Sequence, residues 1–217
     1  MLSSLFRLEI LAALLIDPSA AFPFSPSSPA HSTNKTHWTR HESIGLGPRQ
    51  EHGVAGLDDQ IFIIGGVHYD NNGAVETINR VESYTRNDQK WHVAAPLPLP
   101  VNHPNVAAVN GNIYLTGSLS AGSNWTALSN TYAYTPANDT WAPLASMPAG
   151  TARGSSVVGV YNNTIYLAGG QPFLELVPPY RQPGVDLVSS YNTLTNSWDT
   201  TSLPPLPQVR QHASGAV

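Results

Sequence analysis

YTRNDQKW, Tyr84 to Trp91, is the stretch that decides how this chain is read. Its frame, a tyrosine seven residues ahead of a tryptophan, returns as YTPANDTW (Tyr134 to Trp141) and as YNTLTNSW (Tyr191 to Trp198). A frame kept three times while its contents change marks an internal repeat, which outranks any local reading. Inside the frame lie Asn, Asp, Thr and Pro, residues of turns, between two aromatics that favour strands. Each copy reads as a β-hairpin with one aromatic on either side of its turn.

Ahead of each hairpin stands a short apolar run: IFIIGG (Ile61 to Gly66), IYLTGS (Ile113 to Ser118) and IYLAGG (Ile165 to Gly170), at equal intervals of 52 residues. Glycine closes each run, as Gly65 and Gly66, Gly117, and Gly169 and Gly170. A Pro-rich segment follows each Trp, and twelve residues after the Trp stands a basic residue: His103, Arg153 or Arg210. Small apolar residues then lead to the next run, as in NVAAVNGN and GSSVVGVYNN. A unit of about 50 residues thus holds four strands, a to d. Its a–b and c–d links are short and rich in Asn, Asp and Gly, as hairpin turns require. A four-stranded antiparallel sheet cannot cover both its faces alone. Stacking copies around an axis covers them, and that arrangement is a β-propeller.

The paired glycines, the Tyr–Trp spacing and the Arg ahead of strand a resemble the kelch repeat, over Trp38 to Val217. The resemblance implies an all-β, kelch-type β-propeller of four-stranded antiparallel blades, at about 49–97, 101–147 and 152–203, with the start of a further blade at 209–217. The second copy departs: Thr116-Gly117-Ser118 keeps one glycine, and Val101-Asn102-His103 lacks the Arg. Tyr84, Trp91, Tyr134, Trp141, Tyr191 and Trp198 are expected to fill the wedge between blades, with the glycines giving strand b its turn and close approach. Trp38 stands eleven residues before Arg49, so HWTRHES reads as an orphan strand d at 37–43, of the kind that closes a propeller ring. Propellers have roughly four to eight blades. Three full blades are therefore expected to form a partial ring, a fragment or truncated product lacking its C-terminal part. Its open edges would invite self-association or pairing with a second copy.

Residues 1–21 read as a secretory signal peptide. Arg7 gives the positive start, ILAALLI (Ile10 to Ile16) the short apolar stretch, and Ser19 and Ala21 the small residues before Phe22. Glu9 departs from that pattern. Residues 22–36 read as a flexible segment before the propeller. Asn34, Asn124, Asn138 and Asn162 head N-x-S/T sequons, which fits an exported glycoprotein. The chain has no cysteine, which excludes thiolate metal sites and cysteine nucleophiles. A net charge of −4 with no basic run argues against nucleic acid. No apolar run reaches the roughly 18 residues of a membrane span.

Antiparallel alternation puts the long b–c loops and the d–a links on one face, the expected place of recognition. That face should carry His68, Tyr69 and Asp70, the loop around Trp125, and Phe173 through Tyr180 and Arg181. Asn124 falls in the same b–c loop, while Asn138 and Asn162 fall in turns of the opposite face. Arg49, His52, His103, Arg153, Arg210 and His212 gather toward the mouth of the axis. For the arginines the leading reading is structural, bracing buried carbonyls. His52, His103 and His212 lie on different blades at separations the sequence does not give, so no metal and no cofactor is assigned. Asp70-x-Asn72-Gly73 reads as a turn, its oxygens out of register for a calcium loop. The loop aromatics are placed either to stack on a sugar ring or to pack beneath their own loops.

Three function classes follow. Kelch proteins commonly serve as interaction scaffolds, which implies a secreted module for a protein or glycan ligand. Galactose oxidase, on a kelch-type propeller, needs a Tyr–Cys crosslink that a chain without cysteine cannot make. Kelch-propeller sugar epimerases use acids, Arg and His at the axial mouth, where Glu51 beside Arg49 and His52 is the nearest group. The low-charge, Asn/Thr/Pro-rich composition also resembles fungal kelch proteins, some encoded beside secondary-metabolite genes, which implies an accessory role.

Overall fold

The structure, a computed structural model, describes residues 38–215. The expected signal peptide, the 22–36 segment with Asn34, and residues 216–217 lie outside that span.

The repeated frame proves to be a register. Strand β5 (Val81–Thr85) pairs antiparallel with β6 (Lys90–Ala94), and Tyr84 stands directly opposite Trp91. Tyr134 stands opposite Trp141 and Tyr191 opposite Trp198 in the other two copies. The last turn residue, Gln89, Asp139 or Asn196, takes left-handed φ of 58°, 51° or 52°. Seven residues from Tyr to Trp is therefore the spacing that a four-residue turn imposes on a facing pair.

Around each hairpin the other two strands fall into place. The first blade is ordered β1 (Gly53–Leu57), β2 (Gln60–Ile64), β5, β6. A small hairpin of β3 (Val67–Tyr69) and β4 (Val75–Thr77) fills its b–c loop. The second runs β7 (Val106–Val109), β8 (Asn112–Leu119), β9 (Asn124–Thr135), β10 (Thr140–Leu144). The third runs β11 (Val157–Tyr161), β12 (Thr164–Ala168), β14 (Val188–Asn192), β15 (Ser197–Asp199), and β13 (Phe173–Glu175) crosses from its b–c loop to pair with β9. All ladders are antiparallel, as expected for propeller blades.

The blades cover each other's faces. Phe62, Ile64 and Val81 of the first meet Ile113, Leu115 and Tyr134 of the second, with Leu97 and Val101 of the link between them. Ala107, Val109 and Tyr114 of the second meet Ile165, Leu167 and Tyr191 of the third over Met147. A polar lock repeats at each seam. Trp141 Nε1–H donates to the Ala95 carbonyl and Trp198 Nε1–H to the Ala145 carbonyl, both at 2.9 Å. Two residues before each Trp, one oxygen accepts twice. Asp139 Oδ1 takes the Ala95 N–H and the Tyr134 hydroxyl; Asn196 Oδ1 takes the Ala145 N–H and the Tyr191 hydroxyl.

Four sequence expectations change. Trp91 Nε1–H reaches the Glu42 carbonyl at 3.1 Å. Glu42 follows Trp38 by four residues, as Ala95 follows Trp91, so the orphan segment keeps the repeat's register. Yet 38–43 hold no strand, because no described strand lies beside them to form a ladder. The same holds for 209–215, where the start of a further blade was expected and only an isolated Val185–Arg210 bridge forms. The loop expected around Trp125 is instead the beginning of the twelve-residue β9, which also takes in Asn124. Lastly, His103 does not stand where the arginines stand. Gly66 N–H donates to the Val101 carbonyl as Gly170 N–H does to the Arg210 carbonyl, so Val101 is the equivalent residue. The link after Trp91 is two residues shorter than the others, which shifts the count from the Trp.

Gly117 shows why one glycine survives in the second blade. It has φ +86°, and a Cβ there would stand 2.7 Å from the Arg153 carbonyl oxygen. Ser118, in place of the second glycine, lets β8 run on through a bulge to Leu119.

Candidate functional site

The d–a links bring one residue from each repeat to the centre of the arc. Gln50, Asn102 and Gly154 bridge Val67, Leu119 and Gln171. The residue after each, Glu51, His103 or Ser155, adopts left-handed φ of 54°, 50° or 55°, and His212 repeats it at 50°. Side chains rarely accept that conformation. It is held by backbone hydrogen bonds passed from blade to blade: His103 N–H to Glu51 O, Ser155 N–H to His103 O, and His212 N–H to Ser155 O, at 2.9, 2.9 and 3.2 Å.

Three of these four side chains converge. His103 Nε2 lies 2.8 Å from His212 Nε2 and 3.1 Å from Glu51 Oε2, with His212 Nε2 3.8 Å from the same oxygen. Among the described residues these offer ligand atoms all within 4.8 Å of one another. His103 is buried beneath Trp125, their rings 5.5 Å apart, whereas Glu51 and His212 remain partly open to solvent. Burial, and then the neighbouring His212, hold the His103 pKa down to about 3, so its ring is neutral. The 52-residue interval places Glu51, His103 and Ser155 in register; counting from the tryptophans concealed it.

The arginines have structural work. Arg153 is fully buried, and burial lowers its pKa to about 10. Its guanidinium donates to the carbonyls of Gly169, Leu167 and Thr151 and to Ser189 Oγ. Arg49 donates to the Arg80 carbonyl and forms a buried ion pair with Glu82. Arg210 is exposed and bonded to its neighbours Val209 and Gln208, with no described strand following to supply deeper carbonyls. His52 lies against Gly66, its Nδ1 buried without a partner, and burial lowers its pKa. The Arg49–Glu51–His52 group expected from the sequence therefore does not assemble as one: Glu51 turns to His103 and His212 and Arg49 pairs with Glu82, while His52 still senses the Arg49 charge.

On the long-loop face, His68 Nε2 meets Glu76 Oε2 at 2.6 Å across the β3–β4 hairpin. Asp70 Oδ1 accepts the N–H of Asn72 and of Ala74, closing a turn, as read from the sequence. Trp125 is not available to a sugar. It packs with Val67 and Leu119 in a small core beneath the loops. Phe173 lies under the Arg181 guanidinium at 5.4 Å, and Arg181 pairs with Glu175. Tyr69 and Tyr180 stay exposed, at 63% and 65%. A cleft of about 450 Å³ opens beside Tyr69, lined by Leu46 to Gln50 and by Val67 to Tyr69. Asn138 lies in a 3-10 turn of the opposite face, its Oδ1 bonded by the Thr140 hydroxyl, and Asn162 lies in the β11–β12 turn.

The chain matches the family model of the kelch motif over residues 48–98, the first blade. It is 40% identical over 196 residues to Kelch-like protein terF of Aspergillus terreus, covering 85% of this chain and 42% of that protein. It is 25% identical over 171 residues to human Kelch-like protein 23, covering 79% of this chain and 28% of that one. The chain thus spans less than half the length of these relatives. The solved structure of YjhT superposes with a TM-score of 0.67 at 16% identity, over 81% of this chain and 57% of that one, a likeness of fold. With four-stranded antiparallel blades stacked at the repeat's period, a kelch motif in the first of them and kelch relatives along most of its length, this chain belongs to the kelch-repeat family of β-propellers.

Proposed function

We propose that this chain is a secreted binding module that holds a protein or glycan ligand on its long-loop face. The observation that carries this is the cleft of about 450 Å³ beside exposed Tyr69, formed where a b–c loop meets a d–a link. Concave sites with a few aromatic and polar groups are where ligands bind. Tyrosine presents an apolar face and a polar tip at little entropic cost, which suits both kinds of ligand. His68, paired with Glu76 at the cleft wall, adds a polar contact. Glycans at Asn138 and Asn162 would leave this face free, because both lie in turns of the opposite one, whereas a glycan at Asn124, where β9 begins, would stand on the long-loop face itself. An accessory role beside a fungal biosynthetic pathway is the same reading with a partner enzyme as ligand. The Aspergillus terreus source of the 40% identical relative supports it.

The test is a glycan array together with a cross-linking pull-down from the producing culture, using native protein and the Tyr69→Ala and Tyr180→Ala variants. Specific capture that Tyr69→Ala weakens at least about tenfold, with an unchanged melting temperature, is the expected result. Capture indifferent to both substitutions, or no capture, would overturn the reading.

A further inference from the structure

We propose that Glu51, His103 and His212 form a site for one divalent transition-metal ion, with zinc its natural occupant, at the centre of the arc. The decisive feature is where the ring protons sit. Asn102 Nδ2 donates to Thr77 Oγ1 and to the Ser120 carbonyl, both at 2.9 Å. A carbonyl only accepts, so this fixes the amide's orientation and turns Asn102 Oδ1 toward His103 Nδ1, 2.7 Å away. That oxygen accepts in turn, so the His103 proton is on Nδ1 and its Nε2 carries a lone pair.

Gln211 does the same for the other ring. Its Nε2 donates to the Gln182 carbonyl at 2.9 Å, and its Oε1 faces His212 Nδ1 at 2.6 Å. Gln182 Nε2 lies 3.4 Å from that Nδ1 but 3.0 Å from Gln211 Oε1, so the oxygen has the closer claim on both. Both imidazoles therefore hold their protons outward. They turn bare Nε2 atoms toward each other at 2.8 Å, with a carboxylate oxygen 3.1 and 3.8 Å away. Three electron-pair donors aimed at one place repel unless a cation lies among them.

The outer partners are of the kind that orients histidine ligands at metal centres, fixing tautomer and ring direction. Zinc bonds of about 2.0–2.1 Å at tetrahedral angles put ligand atoms about 3.3 Å apart, and the three separations here bracket that value. Two neutral imidazoles and one carboxylate are a zinc-type set. They leave one coordination position open, on the side where Glu51 and His212 meet solvent, for water or a donor group of a ligand. The scaffold is rigid on one side, since Asn102 and His103 are buried, and each ligand comes from a different repeat. A metal would thus join elements far apart in the chain. None of the three ligands lines the cleft beside Tyr69, and the site does not depend on it.

The experiment is calorimetric titration of the intact, chelator-stripped protein with zinc chloride, and optical titration with cobalt chloride. One zinc ion should bind per chain, and the cobalt form should show the intense visible bands of four-coordinate Co(II). Glu51→Gln, which keeps the side chain's shape, and His212→Ala, at a partly exposed position, should each weaken binding at least about tenfold. His92→Ala, a surface histidine paired with Asp88, should leave binding unchanged. Absence of saturable binding would overturn the proposal and leave a shared proton between the rings. So would binding that neither Glu51→Gln nor His212→Ala alters.

Discussion

Asp139 and Asn196 do the same work with and without a charge. Each accepts a backbone N–H from the preceding blade's link and the hydroxyl of its own repeat's tyrosine. The Ala95 N–H, and then the Tyr134 hydroxyl, hold the Asp139 carboxyl below its usual range. A carboxylate depressed in the folded state stabilises it above the unfolded-state pKa. That contribution is lost as pH falls from the ordinary carboxylate range through the depressed value. Asp139→Asn should keep both bonds, as Asn196 does, and flatten the acid limb of stability, read by urea unfolding at a series of pH values. Asp139→Ala should cost about 1 kcal/mol at neutral pH, because two donors lose their acceptor. Residue roles of this kind were partly legible in the sequence. The bracing arginines were, since a repeat position in a small apolar setting demands donors for buried carbonyls. The parting of Glu51 from Arg49 and His52 was not, because near neighbours in sequence can part company only once the left-handed turn at Glu51 is known.

At the scale of the element, the c–d hairpin was readable to the residue, because a facing aromatic pair and a turn of fixed length admit one register. The second blade's b–c hairpin was not. Ser118 in place of a glycine lets β8 and β9 extend, and Trp125, expected in a loop, becomes a buried strand residue. That His103 and His212 gather at the axial mouth was legible; that Glu51 joins them was hidden by a link two residues short, although the interval between the apolar runs already held the right alignment. The seam between blades carries a prediction of its own. Trp141→Phe keeps the ring against Tyr134 and removes the hydrogen bond to the Ala95 carbonyl, for an expected loss of about 1 kcal/mol. Trp91→Phe should cost less, since its acceptor, Glu42, lies in an exposed segment. Paired denaturant titrations of the two variants would show that order, and equal losses would speak against it.

Across the whole molecule, three blades share one construction: a hairpin register, an apolar seam, and one residue sent to the centre. The seams bury Ile64, Ile113, Leu115, Ile165, Leu167 and Tyr191 completely, while Val54 and Ile61 stay exposed on the first blade's far face. The expectation of self-association rests on the open blade edges, and this uncovered face adds apolar surface to it. Everything placed at the centre depends on the stacking, because Glu51, His103 and His212 meet only if the repeats turn about a common axis. The measurement that tests this most directly is hydrogen exchange of the indole N–H groups, resolved by nuclear magnetic resonance. Stacked blades require the Trp141 and Trp198 indole protons, each held by a neighbouring blade's carbonyl, to exchange far more slowly than that of fully exposed Trp38. Exchange at Trp141 and Trp198 as fast as at Trp38 would contradict the shared axis, and with it the site at its centre.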